Sequence, residues 1–269
     1  DAVDIDESCT TDPVTGTMDV RTEWSITVPE GYPEYDQIIS SPAVGQLTDD
    51  NGDGLIDDAD MPDIIATFDD GGTEDSAHGV LRRLSGDGLD NNIILDRWDD
   101  ELPDDQYFPY RYAGVALGDV TLDGTPDIVT LMERVAGAPP EGDPDEGPPP
   151  DDPDHPVGPP PPPTPGDGPP MLPCHLVALD VDGTVHWVSS VPIDCGGHTP
   201  AIADLEGDGD VEMLVGPAIY DGATGNLAHE GEAGTGSSNA YPEIGMISAI
   251  SDLDGDGIQE ILAGSTIYG

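Results

Sequence analysis

The sequence contains no lysine, and its basic side chains are six arginines set against 57 acidic residues. The net charge of −51 argues against nucleic acids and anionic membrane surfaces as partners, because both would repel the chain. Aspartate outnumbers glutamate by 42 to 15, and the shorter carboxylate suits tight turns and loops that bind hard cations. Bound calcium or high salt is therefore expected to neutralise part of this charge.

Long apolar runs are also missing. No stretch of about 18 apolar residues occurs, so we expect no membrane-spanning helix. The first residues lack the charged and apolar regions of a signal peptide, and we expect a mature chain from which the signal has been removed.

Cysteine is scarce, with Cys9, Cys174 and Cys195 permitting one disulfide and one leftover thiol. Cys174 and Cys195 bracket a predicted hairpin, so we predict that these two pair and that Cys9 is spare. A stable disulfide is typical of a secreted or cell-surface location.

Helical periodicity is absent as well, and an internal repeat takes its place. Four segments, residues 41–68, 113–132, 199–216 and 247–264, each contain an apolar run, an Asp/Gly-rich loop and a second apolar run. Related motifs of strand, turn and strand follow three of the loops. Each repeat thus supplies about four short antiparallel strands, the content of one propeller blade, which predicts an all-β, β-propeller-like fold.

The segment 138–173 interrupts one repeat and holds 17 of the 29 prolines. We interpret it as an extended or disordered insertion, because it offers almost nothing to fill a core.

The Asp/Gly-rich loops match the calcium pattern D-x-[DN]-x-[DN]-G. Side chains at positions 1, 3 and 5 converge on one ion when glycine at position 6 permits a sharp turn, and a carbonyl at position 7 and a later carboxylate complete the site. The predicted ligands, with the carbonyl taken at Leu55, Thr125, Asp210 and Ile258, are Asp49, Asn51, Asp53, Leu55, Asp57 and Asp60; Asp119, Thr121, Asp123, Thr125 and Asp127; Asp204, Glu206, Asp208, Asp210 and Glu212; and Asp252, Asp254, Asp256, Ile258 and Glu260. The Asp119 loop has threonine at position 3, so we expect it to bind most weakly.

These repeats resemble FG-GAP/VCBS repeats, which occur in integrin α-subunit propellers and in many large bacterial surface proteins. The segments that carry the resemblance are SPAVGQLTDDNGDGLIDDADMPDI, TPAIADLEGDGDVEML and ISAISDLDGDGIQEIL. The resemblance covers about residues 40–269 and implies blades arranged in a ring, calcium between the first two strands of a blade, and a role in adhesion or scaffolding. Such propellers usually have seven or eight blades, whereas this chain shows four repeats.

The ends of the chain are expected to complement each other. The last repeat stops after its third strand, and residues 12–24 repeat the order of Asp, turn, Thr-Gly and strand found after the third loop. We therefore divide the chain into an N-terminal segment, residues 1–38, and a propeller-like domain, residues 39–269. The strand at about 18–26 is predicted to complete the last blade, either within one chain or by head-to-tail addition between copies.

Three functions remain open. The first is a calcium-stabilised extracellular module for adhesion, scaffolding or a self-assembling surface filament, whose partners are other copies or cell-surface proteins and glycans. The second is a carbohydrate-binding module, in which Trp24, Trp98 and Trp187 stack on sugar rings. The third, a polysaccharide lyase, is disfavoured by the scattered arginines, and we expect no enzyme. The histidines show no zinc spacing, so a zinc site is not expected either.

Overall fold

A computed structural model describes residues 22–25, 32–71, 78–88, 91–99, 105–136, 173–232, 245–263 and 266–269. Within these ranges the chain forms eighteen β-strands and no helix. All pairs of named strands are antiparallel, and they build four sheets. The predicted all-β class is confirmed.

The strands follow one another along the chain, sheet by sheet. The first sheet contains β1 (Ala43–Gly45), β2 (Asp63–Phe68), β3 (Val80–Ser85) and β4 (Asn91–Leu95). The second contains β5 (Trp98–Asp99), β6 (Asp105–Pro109), β7 (Ala116–Gly118), β8 (Asp127–Ala136), β9 (Pro173–Leu179), β10 (Val185–Val188) and β11 (Ile193–Asp194). The third contains β12 (Ala201–Ala203), β13 (Glu212–Val215), β14 (Ala218–Asp221) and β15 (Leu227–Glu230), and the fourth β16 (Ser248–Ser251), β17 (Glu260–Ala263) and β18 (Thr266–Tyr268).

Four strands of each of the first three sheets lie in chain order, as the repeat predicts. In the second sheet these are β7, β8, β9 and β10, so β7 is taken as the first strand of that sheet. β6 and β11 pair with the outer ends of β8 and β9. The fourth sheet has three described strands, in the order β16, β17, β18.

The central strands carry apolar side chains on both faces, and both faces are therefore buried against neighbouring sheets. In β8, Val129 and Leu131 pack into a cluster shared with the third sheet, whereas Ile128 and Met132 pack into a cluster shared with the first. This alternation follows from the two-residue period of a strand. The core is therefore a series of layers between neighbouring sheets.

Neighbouring sheets approach one another along their first strands. β1 contacts β7, β7 contacts β12, and β12 contacts β16. Glycine allows two of these approaches: a Cβ on Gly45 would lie 3.1 Å from Leu117 Cδ1, and one on Gly118 would lie 3.3 Å from Ile202. The sheets are thus stacked in sequence order, with their first strands side by side.

The proline-rich insertion connects β8 to β9, which form one hairpin in the register Glu133 to Cys174. Its predicted end at residue 173 is one residue too late, since Pro173 already belongs to β9. Residues 137–172 lie outside the described residues, so their predicted extended or disordered state stays a prediction.

The N-terminal segment is described for residues 22–25 and 32–38, none of which belongs to a named strand. Trp24 packs against a cluster in the first sheet, formed by Ala66, Phe68 and Leu84, and its Nε1 donates to Gly86 O at 3.0 Å. The described residues of the predicted strand 18–26 therefore lie against the first sheet. Its other residues are outside the described part, and completion of the last sheet stays a prediction for them.

Cys174 and Cys195 form the predicted disulfide. Both are buried: Cys174 lies near the start of β9, and Cys195 directly follows β11. The bond therefore fixes the end of β9 that leads out of the insertion.

Replacing Cys174 with serine is expected to lower the free energy of unfolding by about 3 kcal/mol, because a cross-link between residues 21 positions apart restricts the unfolded chain by roughly that amount. The melting temperature with and without a reductant measures this. Cys9→Ser is the matched control and should match the unsubstituted chain. An equal loss in Cys9→Ser would mean that Cys9 is not the spare thiol.

His198 joins the second, third and fourth sheets where their first strands meet. It has no exposed surface, and its carbonyl accepts a hydrogen bond from Gly114 N at 2.8 Å. On its ring, Nδ1 accepts from Met246 N at 2.7 Å, so Nε2 carries the hydrogen donated to Asp194 O, also at 2.7 Å. Burial lowers the pKa of His198 below its ordinary value, which keeps the ring neutral.

The free energy of unfolding is therefore expected to fall on acidification below about pH 6.5. In that range His198 binds a proton in the unfolded chain but stays neutral in the folded chain. His198→Gln should show a shallower loss of melting temperature between pH 7 and pH 5, while His229→Gln, on an exposed side chain, should follow the unsubstituted chain. A His198→Gln variant with an unchanged pH slope would contradict this assignment.

Candidate metal-binding loops

All four predicted loops connect the first two strands of a sheet. They join β1 to β2, β7 to β8, β12 to β13, and β16 to β17. Because each loop links two paired strands, its two ends are held close together. The four loops therefore occupy equivalent positions in their sheets.

The first aspartate of each loop organises the backbone that follows it. In the third loop, Asp204 Oδ1 accepts from the amides of Gly207 and Asp208 at 2.7 and 3.1 Å, and Oδ2 accepts from Gly209 N at 3.0 Å. The same contacts with the fourth and fifth following residues are made by Asp49, Asp119 and Asp252. These hydrogen bonds to the first aspartate fix the shape of the turn.

Glycine at the sixth position has a positive φ in every loop. The values are 88° at Gly54, 92° at Gly124, 96° at Gly209 and 91° at Gly257. L-residues rarely adopt this conformation, which explains the sequence requirement for glycine.

A second carboxylate closes three of the loops from the start of the following strand. Asp127 Oδ2, Glu212 Oε2 and Glu260 Oε2 accept from the amide of the second loop residue at 2.9, 2.9 and 2.7 Å. Burial, together with the charges of Glu206, Asp204 and Asp208, raises the pKa of Glu212. A cation in this loop would relieve that repulsion.

In the first loop the closing role passes to Asp60. Its Oδ1 accepts from Asp50 N at 3.0 Å and Asn51 N at 3.2 Å, and its Oδ2 accepts from Asp57 N at 2.9 Å. These hydrogen bonds, that from Asp57 foremost, hold the pKa of Asp60 below its ordinary value. The carboxylate Oδ1 of Asp57 accepts from Ala59 N.

Asp63 stands at the start of β2, where the other sheets have their closing carboxylate, and the sequence pattern missed it. It pairs instead with Arg83, whose Nη1 lies 2.8 Å from Asp63 Oδ1. The signal that could have found Asp63 is its alignment with Asp127, Glu212 and Glu260 at the first residue of the second strand.

The second loop departs from the others in two ways. Threonine stands at the third position, as noted in the sequence, and Leu122 at the fourth adopts a φ of 58° where the other loops have glycine. A left-handed conformation costs a non-glycine residue roughly 1–2 kcal/mol. Both features support the expectation that this loop is the weakest calcium site.

The fourth loop brings three predicted ligands together. One carboxylate oxygen from each of Asp252, Asp254 and Glu260 lies within 4.8 Å of the others. Among the described histidines, cysteines and acidic residues, the remaining predicted loops form no such group on their own. This cluster could hold a metal ion, and its all-oxygen ligands suit a hard cation.

No family model matches the chain, and no curated protein matches it. Repeated antiparallel sheets define an all-β class, and a solved structure has a similar fold. It is the crystal structure of the V. cholerae biofilm matrix protein Bap1, with a TM-score of 0.56, 24% identity and 92% of this chain covered. The similarity shows a shared fold, and the chain spans 32% of the length of the Bap1 chain.

No helix in the described part of the chain is long and apolar enough to cross a membrane.

Asp204→Asn should reduce the gain in melting temperature on adding calcium, because it removes a charged ligand and leaves the loop's shape nearly intact. A saturated site contributes about 2–3 kcal/mol, so the reduction should be several degrees. Asp119→Asn should change the gain less.

Asp210→Ala is the matched control in the same loop, since the pattern uses only its carbonyl. The calcium-induced gain should persist in this variant. Equal losses in Asp204→Asn and Asp210→Ala would show that the loop responds to charge in general and not to a ligand set.

Proposed function

We propose that the chain is a calcium-stabilised extracellular structural or adhesive module, built from FG-GAP/VCBS-type propeller blades. The observation that carries this proposal is the fourfold recurrence of one loop geometry, in which the first aspartate accepts the same backbone amides. Acidic turns that served only solubility would not need to share hydrogen bonds and a positive-φ glycine at equivalent positions.

Charge supports calcium as the ion. The chain has a net charge of −51 and no lysine, so few protein cations are present to offset the loop carboxylates. In the first sheet Arg83 neutralises Asp63, whereas Glu212 and Glu260 have no such ion pair among the described residues. We infer that calcium supplies the missing positive charge there, which makes folding depend on the ion.

Exposed apolar side chains on the two outer faces of the stacked sheets support a ring that contains further blades. Leu117 packs over Gly45 and Ile202 over Gly118, so each first strand projects an apolar side chain onto the preceding sheet. The equivalent side chain of the first sheet, Val44, is 65% exposed, and Ile267 on the last sheet is 58% exposed. We infer that another blade covers these faces, contributed by a second copy or by a longer chain.

An extracellular location is supported by two observations. The Cys174–Cys195 disulfide is buried and typical of oxidising compartments. The structurally similar protein is a biofilm matrix protein, and we propose a comparable scaffolding or adhesive role outside the cell for this chain.

The distribution of arginines supports a non-enzymatic role over a lyase. Arg82 is buried, Arg83 pairs with Asp63, and Arg111 stacks on Tyr112 at 4.7 Å. A site for acidic polysaccharides would need several such cations converging on one cleft. These three arginines belong instead to separate structural contacts.

One pocket favours carbohydrate binding as the second candidate. It has a volume of about 330 Å³ and is lined by Tyr32, Tyr35, His78 and Phe108 together with Asp96 and Arg97. His78 stacks on Phe108 with ring centroids 3.9 Å apart, and the Tyr32 hydroxyl donates to Asp96. Aromatic faces beside charged hydrogen-bonding groups are suited to sugar rings.

In calcium, the purified chain is expected to have a melting temperature many degrees higher than in excess EGTA at low salt.

The chain is also expected to associate through the two outer faces of its stacked sheets. Light scattering coupled to size exclusion measures the association. Val44→Asp and Ile267→Asp should each reduce it, because a charge on an apolar contact disfavours burial. Val191→Asp, at an exposed position between β10 and β11, is the control.

The two candidate functions separate on a glycan array. Binding that requires calcium and is lost in Tyr32→Ala would favour the carbohydrate-binding module. A melting curve unaffected by EGTA would contradict the proposed function, since the recurrent loops would then not bind the ion.

A further inference from the structure

A histidine and two aspartates converge beside the second loop. Asp127 begins β8, and Asp180 follows the last residue of β9. The register that pairs Ile128 with Leu179 sets these two aspartates next to each other across the hairpin. His186, in β10, completes the group.

A β-bulge places His186 in this cluster. Val185 pairs with Leu179 and Trp187 pairs with Ala178, so His186 is the residue skipped by the register. Bulges redirect side chains and are common at functional sites. The third sheet has the same bulge, but there the skipped residue is Ala228, which has no ligand atom.

The single hydrogen on His186 Nε2 cannot form full hydrogen bonds to both Asp127 and Asp180. His186 Nε2 lies 2.9 Å from Asp180 Oδ1, with which it forms a hydrogen bond, and 3.1 Å from Asp127 Oδ1. Asp127 has no exposed surface, and its Oδ1 receives no hydrogen bond from the described residues. Burial raises the pKa of Asp127. A buried carboxylate oxygen thus points into the cluster without a donor.

In the first sheet the equivalent aspartate, Asp63, is neutralised by a side chain that cannot bind a metal. There the guanidinium of Arg83 donates to Asp63, and the residue opposite Asp63 is Ser85. A guanidinium has several donors and no lone pair to offer a metal. In the second sheet an imidazole and a second carboxylate stand at this place, and both can be metal ligands.

We propose that Asp127 Oδ1, Asp180 Oδ1 and His186 Nε2 bind a zinc ion, with water completing the coordination. Bonds of about 2.0–2.2 Å to nitrogen and oxygen put neighbouring ligand atoms roughly 3 Å apart, which matches the 2.9 and 3.1 Å from His186 Nε2 to the two carboxylate oxygens. The side chains of His186 and Asp180 are 23% and 32% exposed, so the ion has access from solvent. Asp127 Oδ2 remains bonded to the second loop.

The nitrogen ligand distinguishes this site from the calcium loops. Imidazole favours zinc and other transition metals over calcium, whereas the four loops offer oxygen alone. The ion would tie β10 to the second loop, where threonine replaces a carboxylate. The sequence did not reveal the site because its ligands come from β8, from β10 and from the turn after β9, and they match no short metal-binding motif.

Calorimetric titration of ZnCl₂ into the calcium-saturated full chain is expected to show one zinc ion bound at this cluster. His186→Gln should weaken that binding by at least about 100-fold, since even outer partners of a metal ligand change affinity about 10- to 100-fold. This variant keeps a side chain that can donate to Asp180, so its melting temperature without zinc should be unchanged. Asp180→Asn should also weaken zinc binding.

His229→Gln is the matched control and should bind zinc as the unsubstituted chain does. Cobalt substitution gives a second readout, because a nitrogen ligand alters its visible spectrum and that change should vanish in His186→Gln. No zinc binding in excess calcium would overturn the proposal and leave the cluster an ion pair. Zinc binding that survives in His186→Gln would also overturn it, whether or not the calcium loops behave as proposed.

Discussion

The hydrogen bonds from loop amides to the first aspartate of each loop are the interaction on which the structure depends. They bend the chain so that a three- or four-residue first strand returns directly into the second strand of its sheet. That short strand then lies beside the first strand of the next sheet, where glycine permits close approach. Strand register, sheet stacking and the grouping of carboxylates are all set by this one turn.

The parts predictable from the sequence were those with a local signal. The repeat marked the strands and loops, and the position of Cys174 and Cys195 around a hairpin gave the disulfide. The closing role of Asp60, the ion pair of Asp63 and the packing of Trp24 on the first sheet had no such signal. These contacts depend on sheet register and on residues far apart in sequence, so spacing alone could not reveal them.

The second sheet differs from the others in several linked ways. Its loop carries threonine and a strained Leu122, its hairpin is lengthened by strands β6 and β11, and it holds the disulfide. His186 lies over the carboxylate that closes its loop. The repeat whose loop has fewer carboxylates therefore has other stabilising contacts, and the insertion lies in this same repeat.

The disulfide has a mechanical consequence because of where it sits. Any tension on the proline-rich segment passes into the ends of β8 and β9, and hydrogen bonds loaded one after another separate easily. Cys174 is the second residue of β9, so peeling of that strand meets a covalent bond almost at once. The load on β9 is then transferred through Cys195 to the chain after β11, so β9 resists the peeling to which β8, which contains no cysteine, remains open.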